Sequence, residues 1–371
     1  MKILKDLWWL FLGYAIFLGI YESALTLDRW MGPKEPGSKV TITISIPRGT
    51  GLVEIARLLE EEGAIASRHA LVLLALWEGK AGKIQAGEYL FSPAQSVSQI
   101  LDDLVAGNVL KHMVTIPEGF TMFDIARLIE EAGLVSQESF LFAARDRRLL
   151  NDLHIPAESA EGFLFPDTYA FTRDVTAESM IRTMVGRFWE VWQEDFARLA
   201  EERDISAHET VTLASIVEKE AAVAEERPLI ASVFWNRLQK SMPLQADPTV
   251  SYGILEEESA APKRVTASLL RHHSPYNTYL VKGLPQGPIS NPGRDSLRAV
   301  LQPAQTSYLF FVSKGNGRHH FSSTLKEHNQ AVWRYLKKPM DETKSKSDTS
   351  QEDKGVDSFS FGEKTDSEAA K

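Results

Sequence analysis

The stretch 211-VTLASIVEKEAAVAEERPLIASVFWNRLQKSMPLQADPTVSYG-253 decides how the chain is organised. Its first part has the apolar spacing of a helix, interrupted by two carboxylates, Glu218 and Glu220, and a second helical run follows. The last part, 244–253, reads as a turn-rich, strand-like segment. Aspartate and glutamate are seldom buried unless they are paired or functional. Burial among apolar groups raises the pKa of a carboxyl, which is how a general acid is made at neutral pH.

Periodicity does not choose between the two glutamates. Helical spacing places Glu218 on the face of Ala214, whereas Glu220 shares a face with Ile216. A second interpretation is a solvated charge pair at a helix end, and the intervening Lys219 fits it. The pattern by itself leaves both interpretations open.

Composition limits the class of protein. A chain of 371 residues suggests two or three units. Its 43% apolar and 25% charged residues are typical of globular protein, and its net charge of −9 argues against a nucleic-acid partner. The absence of cysteine excludes disulfides, thiol chemistry and cysteine metal sites.

The amino terminus has the pattern of a membrane anchor. Residues 7–21 carry no charge, and extending the run to residue 27 gives about 30 Å of helix, roughly the thickness of a bilayer core. We therefore predict a cytoplasmic amino end over 1–6, a single transmembrane anchor over 7–27 and a linker over 28–39. The alternative is a cleaved signal peptide, but a cut after Ala24 would put Glu22 at the minus-three position. Aromatic residues lie near both ends, as interfacial side chains do: Trp8, Trp9, Tyr21 and Trp30.

An internal repeat follows the linker. Segments 46–63 and 116–133 are identical at 10 of 18 positions, at an offset of 70 residues. Each copy predicts a strand ending in Ile-Pro, a turn through Gly49 or Gly119, and an amphipathic helix. With a further strand over 85–91 and a helix over 96–105, the pattern of 40–115 resembles the LysM-like module of wall-binding proteins. Residues 116–160 are then a second copy of the strand-helix unit. A glycan-binding role and a plain packing role remain open alternatives.

Three further segments show distinct patterns. The run 161-EGFLFPDTYAF-171 predicts an irregular strand broken at Pro166, with a carboxylate, hydroxyl and aromatics that suit a sugar site or else an ordinary edge strand. Residues 176–203 predict one long amphipathic helix. Residues 274–303 are dense in Pro, Gly and Asn, and an irregular stretch of that length is usually functional. From residue 338 to 371 the chain is acidic and poor in large apolar residues, which predicts a disordered tail.

Six motifs follow one another in a fixed order: LASIVEKE (213–220), ERPLIASVFWNRL (226–238), LQADPTVSYG (244–253), SPYNTY (274–279), GLPQGPISNPG (283–293) and HFSSTLKEHN (320–329). Together they resemble the YceG-like family of endolytic murein transglycosylases, known as MltG. The resemblance covers the chain up to about residue 337. It implies an α+β fold with a single amino-terminal transmembrane helix, the LysM-like α/β module, and an α+β YceG-like catalytic domain over 116–337.

The resemblance also implies an activity. Such an enzyme is anchored in the inner membrane, with its catalytic domain on the periplasmic side. It cuts the MurNAc–GlcNAc bond within nascent peptidoglycan strands, leaves 1,6-anhydro-MurNAc ends and terminates strand elongation, beside cell-wall synthases. The family's catalytic acid falls on the first glutamate of VEKE, which is Glu218. One departure is Gln286, where the family often has a second proline, and it puts no catalytic residue in doubt.

A single catalytic carboxyl is enough for the implied reaction. A lytic transglycosylase can work with one carboxyl, because the sugar's own 6-hydroxyl replaces water as the nucleophile. We expect substrate binding by polar and aromatic residues of two motifs, although each also has a structural interpretation. These candidates are Gln245, Asp247, Thr249, Tyr252, Ser274, Tyr276, Asn277 and Tyr279.

Two other classes of function stay open at this stage. One is a non-catalytic wall-binding or scaffold protein, against which the intact VEKE motif argues. The other is a hydrolytic muramidase, in which Asp247 or Glu220 supplies a second carboxylate. No cofactor is expected, and no metal, because the spacing of His319, His320 and His328 matches no known ligand set.

Overall fold

A computed structural model describes residues 2–337, and the predicted tail over 338–371 lies outside them. Within that range the fold is α+β, with fourteen α-helices and three separate two-stranded antiparallel sheets. The first helix, α1, covers Lys2–Met31. No helix in the described range combines the length and the apolar character needed to cross a bilayer. The anchor predicted over 7–27 is therefore not confirmed.

The first copy of the repeat forms a unit with its own core. Strand β1 pairs antiparallel with β2, so that Ile42 lies opposite Phe91. The core of this unit includes Ile44, Leu71 and Tyr89. The order of elements is the predicted one, whereas a true LysM likeness stays a prediction. The elements are β1 (Ile42–Ile46), α2 (Leu52–Glu61), α3 (Arg68–Trp77), β2 (Gly87–Phe91) and α4 (Val97–Ala106).

The second copy also has a pair of antiparallel strands, with three helices between them, and it belongs to a larger core. Strand β3 pairs antiparallel with β4, and Val114 of β3 packs in the second core. By its pairing β3 therefore belongs with the residues that follow it, although the sequence analysis placed it before the boundary at 115. The elements are β3 (His112–Thr115), α5 (Met122–Glu131), α6 (Gln137–Ala143), α7 (Arg147–Asp152) and β4 (Thr168–Phe171).

Three elements differ from the sequence prediction. Only 168–171 of the predicted strand 161–171 is a strand, because the backbone before it turns into the interior. The long helix predicted over 176–203 is interrupted by a π-helical turn, Trp192–Phe196, between α8 (Ala177–Val191) and α9 (Ala197–Glu202). The segment 244–253, predicted to be strand-like, instead begins helix α12 (Asp247–Glu258). Proline in the first turn of a helix is no obstacle, because the N–H that it lacks has no partner there.

Helix α10 (Ala207–Glu220) lies at the centre of the second core. Ser206 caps its amino end by accepting a hydrogen bond from the Glu209 N–H, and Glu209 bonds back to the Ser206 N–H. Its residues from Thr210 to Val217 are buried, which is why the helix reads as apolar. It packs against α11 (Arg227–Gln239), α12 and α13 (Arg294–Leu301).

The carboxyl-terminal part closes the domain. The Pro/Gly-rich loop between α12 and α13 contains the irregular part of the predicted stretch 274–303, whose residues 294–301 form α13. Strands β5 (Phe310–Ser313) and β6 (His319–Ser322) form the third antiparallel pair. Helix α14 (Leu325–Val332) follows and ends in a π-helical turn, Trp333–Lys337.

Candidate active site

The last turn of α10 places Glu218 in an enclosed position. Its side chain is only 7% exposed. Arg227 donates from Nη2 to Oε1 of Glu218 at 3.2 Å, and the backbone N–H of Gly293 donates to Oε2 at 3.1 Å. Both carboxylate oxygens are thus oriented by donors from two other segments. An enclosed, oriented carboxyl is suited to proton transfer at a fixed point.

A second carboxylate, Glu118, shares the same guanidinium. Its Oε2 lies 3.8 Å from Nη2 of Arg227. Desolvation raises the pKa of Glu118, and the charge of Glu218 raises it further, while Arg227 opposes both effects. A Cβ at position 293 would lie 1.9 Å from Oε1 of Glu118. Glycine at that position therefore lets the backbone approach both carboxylates.

The turn of the second repeat copy is pinned against the Pro/Gly-rich loop. Gly119 N–H donates to the carbonyl of Asn291 at 2.8 Å, and Asn291 N–H donates to the carbonyl of Phe120 at 2.8 Å. Lys219 Nζ donates to the carbonyl of Gly119 at 3.2 Å. The backbone at Gly119 has φ +74°, and a Cβ there would lie 3.4 Å from Cγ of Glu218. The repeat therefore contributes directly to the surroundings of Glu218.

Glu220 belongs to a different cluster. Burial raises its pKa to about 7, the charge of Asp247 adds to this, and Arg237 opposes it. Tyr279 donates its hydroxyl to Oδ1 of Asp247 at 2.6 Å. Two candidate residues, Asp247 and Tyr279, are thus brought together near Glu220, two positions away from Glu218 along the chain.

A groove of about 800 Å³ opens beside the end of α10. Its walls are α5, α12 and the segment 259–265, and it is called the α5–α12 groove below. Lys219, Asp247 and Tyr252 are among its lining residues, whereas Glu218 is not. The lining of the groove therefore includes Lys219 but not Glu218, which precedes it in the chain.

Three candidate binding residues have their polar groups engaged inside the protein. The Thr249 hydroxyl donates to the carbonyl of Ala246 and bonds with Thr278 Oγ1. The Tyr252 hydroxyl lies 2.9 Å from Glu161 Oε2 and 3.0 Å from a carboxylate oxygen of α12. Asn277 is fully buried and donates from Nδ2 to two backbone carbonyls, 270 and 272. Their observed contacts stabilise the fold around the site.

The other candidates lie in two places. Gln245 is exposed, has φ +52°, and donates its N–H to the carbonyl of Thr278. Ser274 and Tyr276 line a separate cavity of about 280 Å³. The ring of Tyr276 packs edge-on against that of Tyr252, with centroids 4.9 Å apart. These two residues are therefore not part of the α5–α12 groove.

Glu161, for which the sequence left a sugar site and an edge strand open, is completely buried. It accepts hydrogen bonds from Met122 N–H at 2.9 Å, Asn291 Nδ2 at 2.8 Å and the Tyr252 hydroxyl. Desolvation raises its pKa to about 8, although the bonds from Met122 and Tyr252 lower it. The carboxyl joins α5, α12 and the Pro/Gly-rich loop behind the site.

Comparison with known proteins identifies the family. The model of the YceG-like family matches residues 44–334. The chain belongs to the YceG-like family. It is 35% identical over 320 residues to the endolytic murein transglycosylase of Bacillus subtilis, covering 82% of this chain and 87% of the relative. It is 28% identical over 350 residues to the endolytic murein transglycosylase of Streptococcus pneumoniae, covering 86% of this chain and 62% of that relative.

A solved structure supports the same assignment. A crystal structure of a YceG-like protein from Listeria monocytogenes matches with a TM-score of 0.55 and 34% identity, over 79% of this chain and all of that one. The family resemblance read from the sequence motifs is therefore confirmed.

Sequence reasoning missed three groups of this YceG-like site. Arg227, Glu118 and Gly293 were not predicted as site residues. Two signals were available: the repeat, whose second copy carries Glu118 and Gly119, and the family motifs 226–238 and 283–293, which contain Arg227 and Gly293.

Among the histidines, His319 and His272 pair with glutamates. His319 Nδ1 lies 2.8 Å from Glu226 Oε2, and His272 Nε2 lies 2.9 Å from Glu257 Oε2. Among residues 2–337, no group of three or more His, Cys, Asp or Glu side chains is arranged to hold a metal ion.

Proposed function

We propose that this YceG-like protein is an endolytic murein transglycosylase with Glu218 as its catalytic acid. The observation that carries the proposal is the enclosed Glu218 carboxyl, held by Arg227 and the Gly293 N–H beside the α5–α12 groove. The names of the Bacillus and Streptococcus relatives support the reaction and the substrate class.

The reaction needs one carboxyl and no cofactor. Glu218 gives its proton to the glycosidic oxygen as the bond to the anomeric carbon of MurNAc breaks. The 6-hydroxyl of the same sugar then attacks that carbon, and the Glu218 carboxylate takes the hydroxyl proton. The products are a 1,6-anhydro-MurNAc end and a free GlcNAc hydroxyl, with no water consumed. An intramolecular nucleophile has a large entropic advantage.

The neighbours of Glu218 suit the second half of this cycle. Once the proton has left, the guanidinium of Arg227 and the Gly293 N–H stabilise the carboxylate and fix its orientation. Arg227 is itself fixed, because its Nε donates to Ser296 Oγ of α13 at 3.1 Å. It therefore acts as a positioning residue.

One observation favours a second candidate, a hydrolytic muramidase. Glu220, with a pKa of about 7, and Asp247 are two carboxyls close enough to influence each other. Hydrolytic glycosidases use two carboxyls. A non-catalytic scaffold is the third outcome that the test below distinguishes.

The test is mass spectrometry of muropeptides after digestion of peptidoglycan strands. We expect 1,6-anhydro ends from the wild type and a loss of at least about 10²–10⁴-fold in rate for Glu218→Gln, because the amide has no acidic proton. Glu220→Gln is the matched control and should cost much less. Reducing ends would mean a hydrolase, and no cleavage would mean a scaffold. An active Glu218→Gln variant with an inactive Glu220→Gln variant would mean that Glu220 is the catalytic acid.

The proposal also covers the membrane anchor and the cellular location of the catalytic domain. The charge-free run over 7–21 and its flanking aromatics support a single membrane anchor over 7–27, with the catalytic domain on the periplasmic side. Glycan binding by 40–115 and work beside cell-wall synthases would follow from that placement. Recovery of the full chain in the soluble fraction of lysed cells would contradict the anchor.

A further inference from the structure

The α5–α12 groove has an excess of positive charge. Arg127, Lys219, Lys263 and Arg264 line it, against two acidic side chains, Asp124 and Asp247. Lys263 and Arg264 are exposed on the segment that follows α12. The charge of the groove is thus positive, whereas the net charge of the whole chain is −9.

The two acids of the groove are already engaged. Asp124 caps α5 by accepting the Thr121 N–H and pairs with Arg127 at 2.8 Å. Asp247 accepts the hydroxyl of Tyr279. Within residues 2–337, by contrast, Lys219, Lys263 and Arg264 take part in no ion pair. Three cations therefore face the groove without a compensating carboxylate.

The groove also lies close to Glu218, because Lys219 of the groove contacts Gly119, which packs beside the Glu218 side chain. Lys219 directly follows Glu218 in the chain and lines the groove, and its Nζ is held by the carbonyl of Gly119. Apolar side chains of α5, α6 and α12 complete the walls: Phe123, Leu141 and Leu255. A ligand seated there would have acidic groups and small apolar groups, and would extend to Lys219, the residue that follows Glu218 in the chain.

One part of the proposed substrate has this chemistry. The sugar backbone of peptidoglycan carries hydroxyl and N-acetyl groups and no regular charge, whereas the stem peptide on the MurNAc lactyl group has several carboxylates and alanine methyls. MurNAc is also the sugar whose bond is cut, so its peptide leaves the strand next to Glu218. We propose that the α5–α12 groove binds the stem peptide of the MurNAc at the cleavage site. This inference rests on the proposed function and names the part of the substrate that the groove recognises.

The test compares two substrates with the full chain purified in detergent. One is glycan strands with stem peptides, and the other is the same strands after an amidase has removed the peptides. For the double variant Lys263→Glu/Arg264→Glu we expect about a tenfold loss in kcat/KM on the peptide-bearing strands and no change on the stripped strands. Lys326→Glu, on the exposed face of α14, is the matched control and should behave like the wild type on both.

Each other outcome overturns the inference. An equal loss on both substrates means that the groove holds the sugar backbone, and no loss on either means that the groove is not used. The milder Lys263→Ala/Arg264→Ala variant should lose less in the same direction, which guards against misfolding of the charge reversal.

A binding assay separates this inference from the proposed function. A fluorescently labelled stem peptide should bind the full chain and bind at least about fivefold more weakly to the charge-reversed variant. Unaltered binding overturns the groove proposal even if cleavage is normal. Normal, charge-dependent binding without any anhydro product supports the groove proposal and overturns the transglycosylase.

Discussion

At the residue scale, two buried carboxyls of this protein have different tasks. Glu218 is held by a guanidinium and an N–H at the edge of a groove, whereas Glu161 lies in the interior and joins three segments. Glu161 has no proposed part in the reaction, yet burial raises its pKa to about 8. A buried group of this kind links stability to pH.

We expect Glu161→Gln to flatten the dependence of stability on pH. The folded pKa lies above the unfolded value, so the stabilisation from the protonated carboxyl is complete below about pH 4.5 and is lost as pH rises toward 8. Each pH unit in that window corresponds to at most about 1.4 kcal/mol. Glutamine does not titrate, and its carbonyl can still accept from Met122 and Asn291 while its amide donates to the Tyr252 hydroxyl. Melting temperatures at pH 5 and pH 8 check this, and equal slopes in wild type and variant would contradict it.

The sequence singled out Glu218 as the candidate acid but not the groups that hold it, and the reason lies in the local structure. The VEKE motif sits in a regular helix, where periodicity and family resemblance both apply. Arg227 reaches Glu218 across the irregular link 221–226, and Gly293 arrives from a loop in which no local pattern predicts contacts. Partners of that kind are fixed only by the tertiary fold.

At the scale of elements, the turn after β3 differs from its counterpart after β1 in what it touches. Gly49 has φ +83° with open space around its Cα, whereas Gly119 has φ +74° beside Cγ of Glu218. Gly119 also donates its N–H to Asn291. The two copies therefore provide a matched pair for separating stability from activity.

We expect Gly49→Ala and Gly119→Ala to lose similar stability, about 1 kcal/mol each, because alanine is strained at a positive φ. Only Gly119→Ala should also lose cleavage, by tenfold or more, since the strain there shifts the backbone that packs on Glu218. Denaturant titration and the muropeptide assay measure the two effects. Equal activity in both variants would show that the turn does not position the site.

The element predictions succeeded where a pattern was periodic and failed where single residues decided. The repeat predicted both strand-helix units. The apolar spacing that begins at residue 211 predicted a helix, and the structure has α10 there. The segment 244–253 was misread because its proline and polar residues suggested a turn, although they form the beginning of α12. Burial of Glu161 likewise depends on contacts with distant segments, which no window of sequence contains.

At the scale of the whole molecule, stability resides in two cores within residues 2–337. The smaller core is built from the first repeat copy, and the larger one contains α10 and the elements around the site. Ala331 of α14 is buried, and α14 packs on β5 and β6, whose Phe311 and Phe321 border the larger core. The acidic segment after residue 338 lacks the apolar residues that a core requires.

We therefore expect a chain that ends at Lys338 to keep its melting temperature and its cleavage rate. A chain that ends before α14, at Thr324, is the control and should melt several degrees lower, because it loses the packing of Ala331. Differential scanning fluorimetry and the muropeptide assay make the comparison. A drop of several degrees for the longer chain would mean that the tail packs on the domain.

The hydrogen bond from Gly119 to Asn291 limits which substitutions this part of the chain can tolerate during evolution. Two copies of one strand-turn-helix unit began with similar sequences, but the copy at 116–133 is tied to the Pro/Gly-rich loop and the copy at 46–63 is not. A mutational scan should therefore find that the turn at 47–51 accepts many replacements while the turn at 117–121 accepts few. The duplication leaves one half of the repeat free to acquire new surfaces while the other half keeps the chemistry in place.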